Sequence, residues 1–309
     1  MQKQFFLFVA IMVFSITISA QSNIGKTVDT KQILPSHTDS LWMNQDIKPT
    51  VYLIGSVHNM HFNPDIHYSL NDLAEQIRLL KPDLVCGEIT TEAFNQAMEG
   101  YFPPEAAFLA QMANELKYRF VPVDWRLDHA TQSIACRVYP TSIENQTTNL
   151  TNNLKAKLKS SNNISIYDLL HDKLILNDLD SLYEKIIGVN AIAEIGNGSW
   201  HERNRRAVEN GLRKSENSKT IVFVFGMDHL PQLDRQLKAV GINVQIPKRL
   251  FTPSKDYKVS EAVLKRWKRN LENLKSIRDK RIPATYDEYQ KVINSKRIEN
   301  IEEAIQKSL

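Results

Sequence analysis

The sequence predicts an α/β fold, a mostly parallel central sheet flanked by helices, with a helical insertion and a helical C-terminal tail. Three observations carry this prediction. Short runs rich in β-branched and aromatic residues alternate with stretches whose apolar residues recur at helical spacing, the pattern of a parallel sheet covered on both faces. From about residue 140 to 195 that alternation gives way to Asn-, Ser-, Thr- and Lys-rich sequence with helical spacing and no strand. Beyond residue 250 the chain is basic, amphipathic and helical to its end.

Taken in order, Thr50–Gly55 reads as a strand ended by a glycine, and Tyr68–Leu80 as a helix with Leu70, Leu73, Ile77 and Leu80 on one stripe. Lys81-Pro82 stops that helix, because proline excludes the α conformation at the residue before it. Asp83–Glu88 is a second strand, Pro103 to about Lys117 a helix, and Tyr118–Val123 a third strand. Pro122 points to an edge strand or to the strand's ending, since proline cannot donate to a sheet ladder. After the insertion come a helix over Trp200–Leu212, the strand Thr220–Phe225, a helix over Leu230–Val240 and a last strand, Ile242–Ile246.

The organisation follows. Residues 1–20 have a basic start, an uncharged apolar run (Phe5–Ile18) and Ser19-Ala20 before Gln21, which predicts a cleaved signal peptide and hence a periplasmic or secreted protein. That run is shorter than the roughly 18–20 residues a membrane span needs, and no later stretch qualifies. Residues 21–48 form a polar lead-in, 49–250 the α/β domain with its insertion at about 140–195, and 251–309 a basic helical tail. With 42% hydrophobic and 24% charged residues the chain is globular, and a net charge of +4 is too mild to call for nucleic acid. The tail's cations alternate with glutamates, so its polar side reads as a solvated helix face. Cys86 and Cys136 are either a disulfide or two small core residues.

In open α/β sheets ligands bind beyond the carboxyl ends of the strands, so the residues there decide the chemistry. The first strand ends in Gly55-Ser-Val-His58, the second in Gly87-Glu88, the third in Asp124-Trp-Arg126 and the fourth in Gly226-Met-Asp-His229. Two histidines and one or two carboxylates on one rim are donors of the type that bind Zn, Mn, Fe or Co. His58, His229 and Glu88 are the expected ligands of a divalent metal ion, which would lower the pKa of a bound water. Glu88 or Asp124 would be a ligand or the general base, and Asp124 with Arg126 would alternatively be a structural ion pair. His61 and His67 follow in the same loop, either as further ligands or, the reading preferred here, as spare histidines of a surface segment. Cys86, on the same strand face as Glu88, is a further candidate for lining the site.

The helix from Trp200 adds one residue to the site. At about 100° per residue, Trp200, Ala207, Val208 and Gly211 share a face with Arg203 and Asn204, whereas Glu202 points away. A cation on a packing face is costly without an anion, so Arg203 is a candidate to hold a site carboxylate or a substrate oxyanion; at the edge of the face it would instead snorkel to solvent. Glu202 and Arg206 form a solvated i,i+4 pair.

Gly55-Ser-Val-His58, the strand-end Glu88, Glu202-Arg203-Asn204 and Val224-Phe-Gly-Met-Asp-His229-Leu230 give the chain a resemblance to the TraB/PrgY/GumN group. That group includes the TIKI proteases and lies in a wider superfamily with the erythromycin esterases and the ChaN haem-binding lipoproteins. The resemblance spans about Thr50 to Ile246 and implies an α/β fold with a metal-dependent hydrolytic site. His58, Glu88 and His229 match the family's motif positions and Arg203 its basic one. The loop Asn59–Asp65, the Asn-rich insertion and the basic tail depart from the family pattern.

The expectation is an exported metal-dependent hydrolase of a peptide or a small ester or amide, with Glu88, Asp124 and Arg203 as catalytic groups. The alternative is a haem- or metal-binding protein of the same fold without turnover. No Gly-x-Ser-x-Gly elbow, Gly-rich phosphate loop or His-Glu-x-x-His helix is present.

Overall fold

A computed structural model of the protein describes residues 48–135, 139–160 and 164–309; the signal-like start, most of the lead-in and Cys136 lie outside them. Five strands form one sheet, all parallel, in the order β3-β2-β4-β1-β5. They are β1 (Thr50–Ser56), β2 (Leu84–Thr90), β3 (Arg119–Asp124), β4 (Thr220–Gly226) and β5 (Asn243–Gln245). β1 and β4 pair along their whole length, Thr50 opposite Thr220 through Ser56 opposite Gly226. β3 is an edge strand, as Pro122 requires, and β5 at the other edge is shorter than its sequence suggests.

The alternating side chains of the strands enter two cores. Ile221, Phe223 and Phe225 of β4, with Val51, Leu53, Leu84 and Cys86, pack against the helices α8 and α9 named below; Val222 and Val224, with Ile54 and Val85, join the larger core. That larger core also takes in α1 (Leu70–Leu80), which opens with a reciprocal Ser69–Asp72 cap, and α2 (Pro104–Leu116). α3 (His129–Ile134) follows β3, and the described part of the insertion is mainly helical, with no strand: α4 (Thr141–Ser160), α5 (Ile166–Leu170), α6 (Lys173–Ile187) and α7 (Ala193–Gly196). α8 (Trp200–Arg213) and α9 (Leu230–Ala239) close the smaller core.

The tail forms α10 (Glu261–Arg278), α11 (Tyr286–Ile293) and α12 (Arg297–Lys307). The expectation of a solvated basic helix face holds for only one side of it. Trp267 of α10 is buried, donates its indole N–H to the Pro104 carbonyl at 3.2 Å and meets Phe62 edge-on. Glu99, fully buried, is held by Arg266 and Arg269 of the same helix. α12 reaches back to the turn after β1, where the Asn59 amide donates to the Asn300 carbonyl at 2.8 Å. The tail is therefore part of the core, and it carries side chains to the carboxyl end of the sheet. Among the described residues no helix is long and apolar enough to cross a membrane.

One glycine sets the distance between α8 and the sheet. A Cβ on Gly211 would lie 2.4 Å from the ring of fully buried Phe223, with Cys86 Sγ 3.2 Å away on another side. Alanine in a helix ordinarily stabilises by up to about 1 kcal/mol over glycine, but overpacking a buried contact costs about 1–3 kcal/mol. Gly211→Ala is therefore expected to lower stability by about 1–2 kcal/mol in urea denaturation; a more stable variant would show that this contact does not fix the helix.

Candidate functional site

The three central strands, β2, β4 and β1, are neighbours in the sheet and end on one rim. The strand-end rule thus brings Glu88, the Gly226–His229 turn and His58 together. Glu88 sits where the β2–β3 register shifts between Gly87 and Thr90, an irregularity of the kind that re-aims a side chain.

Glu88 and Asp124 are locked by two arginines. Arg203 donates from Nε to Asp124 Oδ1 at 2.8 Å and from Nη2 to Asp124 Oδ2 at 2.9 Å and Glu88 Oε1 at 2.8 Å. Arg126 donates from Nε to Asp124 Oδ2 at 2.7 Å and from Nη2 to Glu88 Oε1 at 3.0 Å. The second oxygen of Glu88 accepts from the Gly226 amide at 2.7 Å. Burial works against ionisation of Glu88, but His58, Arg203, His229 and Arg126 together hold its carboxyl well below the usual range. Of the two roles the sequence allows Arg203, the structure gives it the carboxylates. Asp124, whose side chain is 0% exposed, faces these arginines rather than the open rim, which is the structural ion pair the sequence allowed.

His58 adopts φ 50°, a left-handed conformation that is uncommon outside glycine and is found at functional sites. Its Nδ1 lies 2.6 Å from Glu105 Oε1, at the start of α2, and its Nε2 lies 4.0 Å from Glu88 Oε2. Burial lowers the basicity of this imidazole, but Glu105 and then Glu88 outweigh burial and raise its pKa. Gly226 is required here: a Cβ at that position would lie 2.9 Å from His58 Nε2. Ser56 also donates its hydroxyl to Glu105 Oε1.

His61 is not a spare surface histidine. It is fully buried, with Nδ1 bonded to the Tyr68 carbonyl at 2.9 Å and Nε2 3.1 Å from Ser56 Oγ. Burial pushes its pKa down to about 4, so it is a neutral prop under the first turn. His67 is the exposed one, capping a short turn in a left-handed conformation.

His229 is fixed from two sides. Its Nδ1 bonds Asn204 Oδ1 at 2.7 Å, and the Asn204 amide donates to the Trp200 carbonyl. With Nδ1 donating, Nε2 carries the lone pair, and no described residue bonds it. Burial and then the Arg203 cation keep the ring neutral. The ring stacks on Trp200 at 4.3 Å, Trp200 stacks on Tyr183 at 4.3 Å, and the Tyr183 hydroxyl donates to Asp228 Oδ2 at 2.7 Å. Burial raises the Asp228 pKa to about 6. The insertion thus supports the rim through Tyr183, and again through His171, whose Nε2 accepts from the Gly55 amide at 2.9 Å.

Accessibility separates the roles. The side chains of His58 and Arg126 are 20% and 22% exposed, while Glu88, Glu105, Asp124 and Arg203 are at 8% or less. His58 and Arg126 are the members of this set that solvent reaches; the others are buried behind them. Cys86 is a free cysteine buried in the smaller core beside Phe223, away from the rim.

The donor set suits a metal by type but not by arrangement. Both oxygens of Glu88 already accept from Arg126, Arg203 and Gly226. Among the described residues no group of three His, Cys, Asp or Glu side chains is placed to hold a metal ion. What the rim offers is two open imidazole nitrogens.

Glu105, Asp228, His171 and Arg297 belong to this neighbourhood and were not singled out from the sequence. Glu105 had one signal, a carboxylate directly before the apolar run Ala106–Ala110. No family model matches the chain, nor does any curated protein or solved structure. The functional reading therefore rests on the site itself and on the motif resemblance.

His171 yields a prediction. Its folded pKa is lowered by burial to about 4, below the ordinary 6.5. The unfolded chain then binds more protons between those values, so this histidine costs stability as pH falls from about 6.5 toward 4. His171→Gln keeps an acceptor and a donor without titrating. The wild type is expected to lose about 2 kcal/mol more than this variant between pH 7 and 5 in denaturant titrations; parallel losses would contradict a neutral buried His171.

Proposed function

We propose that the chain is a hydrolase that cleaves a peptide or a small ester or amide bond at the carboxyl rim of its sheet, with His58 activating the attacking water. The observation that carries this reading is the His58–Glu105 pair at 2.6 Å, on an imidazole that keeps 20% exposure and whose Nε2 lies 4.0 Å from Glu88. Glu105 fixes the tautomer by accepting from Nδ1–H, which leaves Nε2 as the base. As water attacks the carbonyl carbon, its proton passes to Nε2, and the imidazolium is stabilised by Glu105 and Glu88. The same proton then goes to the leaving group as the bond breaks. Arg126 lies beside the reacting carbonyl as the cation for its developing oxyanion. Arg203 is a positioning residue that keeps Glu88 ionised, and His229 Nε2 accepts a hydrogen bond from water or substrate.

The meeting of His58, Glu88, Arg203 and His229 at one rim supports the likeness to the TraB/GumN group. The signal-like residues 1–20 support an exported enzyme. A second reading, a divalent metal held through His58 and His229, is favoured by the neutral, unpartnered Nε2 that Asn204 imposes on His229. Such an ion would supply a bound hydroxide near neutral pH.

The test is a panel of peptide, ester and amide substrates given to the wild type, His58→Ala and Glu105→Gln, with metal content measured by mass spectrometry. Loss of about 10²–10⁴ in turnover for His58→Ala, and a smaller fall in kcat for Glu105→Gln with KM little changed, are expected for general-base catalysis. Full activity in His58→Ala would overturn the reading. Near-stoichiometric Mn, Co, Zn or Fe in the wild type, absent from a folded His58→Ala/His229→Ala variant, would establish the second reading instead.

A further inference from the structure

The other deeply buried glutamate and arginine side chains of the described residues are paired. Arg203 has Asp124 and Glu88, and Glu99 has Arg266 and Arg269. Arg297, the first residue of α12, is the exception. It is 5% exposed, yet no carboxylate of a described residue lies within ion-pair distance of its guanidinium. Its nearest ring is Tyr101, whose centroid is 5.8 Å from the guanidinium carbon. The next residue, Phe102, bears the Arg126 guanidinium at 5.5 Å. Arg126 spends Nε and Nη2 on Asp124 and Glu88, and its Nη1 has no bond to a described residue. Arg297 is within electrostatic reach of Arg126, Glu88, Glu105 and His58, so it belongs to the same rim. Burial and the neighbouring Arg126 both disfavour its charge.

Burying an unpaired guanidinium is costly. A planar fork of donors held ready beside a second cation fits a planar or tetrahedral oxyanion. We propose that Arg297, with the free Nη1 of Arg126, is an anion subsite that takes a carboxylate or phosphate group of the substrate beside His58. This deepens the hydrolase reading by giving its substrate a negative charge near the scissile bond. It also gives the C-terminal helix a role in substrate selection.

The test is equilibrium binding and thermal melting of the full chain with inorganic phosphate and, separately, acetate, at constant ionic strength set by sodium chloride. Arg297→Met keeps the apolar stem over Tyr101 and removes the charge. The wild type is expected to bind one of the two anions and to melt higher with it. Arg297→Met is expected to melt at or above the wild type without anion and to bind at least about tenfold more weakly, the effect of losing charge-assisted hydrogen bonds. Arg297→Lys, which lacks the fork, is expected to bind with intermediate strength. A response to phosphate alone identifies a phosphorylated group, and a response to acetate alone a carboxylate. No response to either anion, an unaltered response in Arg297→Met, or a variant that melts lower or fails to fold would each overturn the proposal. None of these readouts needs turnover, so a silent substrate panel and a failed anion subsite are separate results.

Discussion

The arrangement of the rim depends on the guanidinium of Arg203 between Asp124 and Glu88. It reaches the sheet from α8 and spends three hydrogen bonds on two buried carboxylates that the more exposed Arg126 also holds. Removing one member of such a buried set strands its partners and typically costs about 3–5 kcal/mol. The lattice sets the charge of Glu88, and Glu88 in turn faces His58 Nε2 and pins the Gly226 amide. Three strand ends and one helix face are thereby tied at one point, and the His58 imidazole beside them inherits its position from them.

Around the lattice, neutral groups do the aligning. His61 and Ser56 lie under the His58 turn, and His171 holds the Gly55 amide from the insertion. The Tyr183–Trp200–His229 stack ties a second imidazole to the same insertion. The insertion and the tail therefore supply walls of the rim, through Tyr183 and His171 on one side and Arg297 on the other.

Much of this was legible in the sequence. The strand periods place all five strands, and an ionisable residue at four strand ends, led by a glycine at three of them, marks the rim. The helical wheel of α8 puts Arg203 and Asn204 inward and Glu202 outward, as found. What escaped the sequence are residues whose role depends on distant contacts. Glu105 meets His58 across 47 positions and, at a helix start, looks like an ordinary acid near the positive end of the dipole. Arg297 looks like one cation among many in a basic tail, because amphipathic spacing does not say which helix end enters a site. His61 looks exposed because it follows a glycine-led turn, yet the turn folds inward onto Tyr68. The partners of Glu88 escaped for a similar reason: its oxygens accept from two arginines and an amide that lie far along the chain.

The central claim is that Glu105 fixes His58 with Nε2 as the working nitrogen. Side-chain ¹⁵N NMR of the histidines across pH, assigned with His58→Gln, tests it directly. The account expects an exchange-protected Nδ1–H on His58 and a pKa above 6.5 that falls when Glu105 is replaced by glutamine. A His58 ring that exchanges freely, titrates as an unperturbed imidazole and ignores the Glu105 substitution would contradict it.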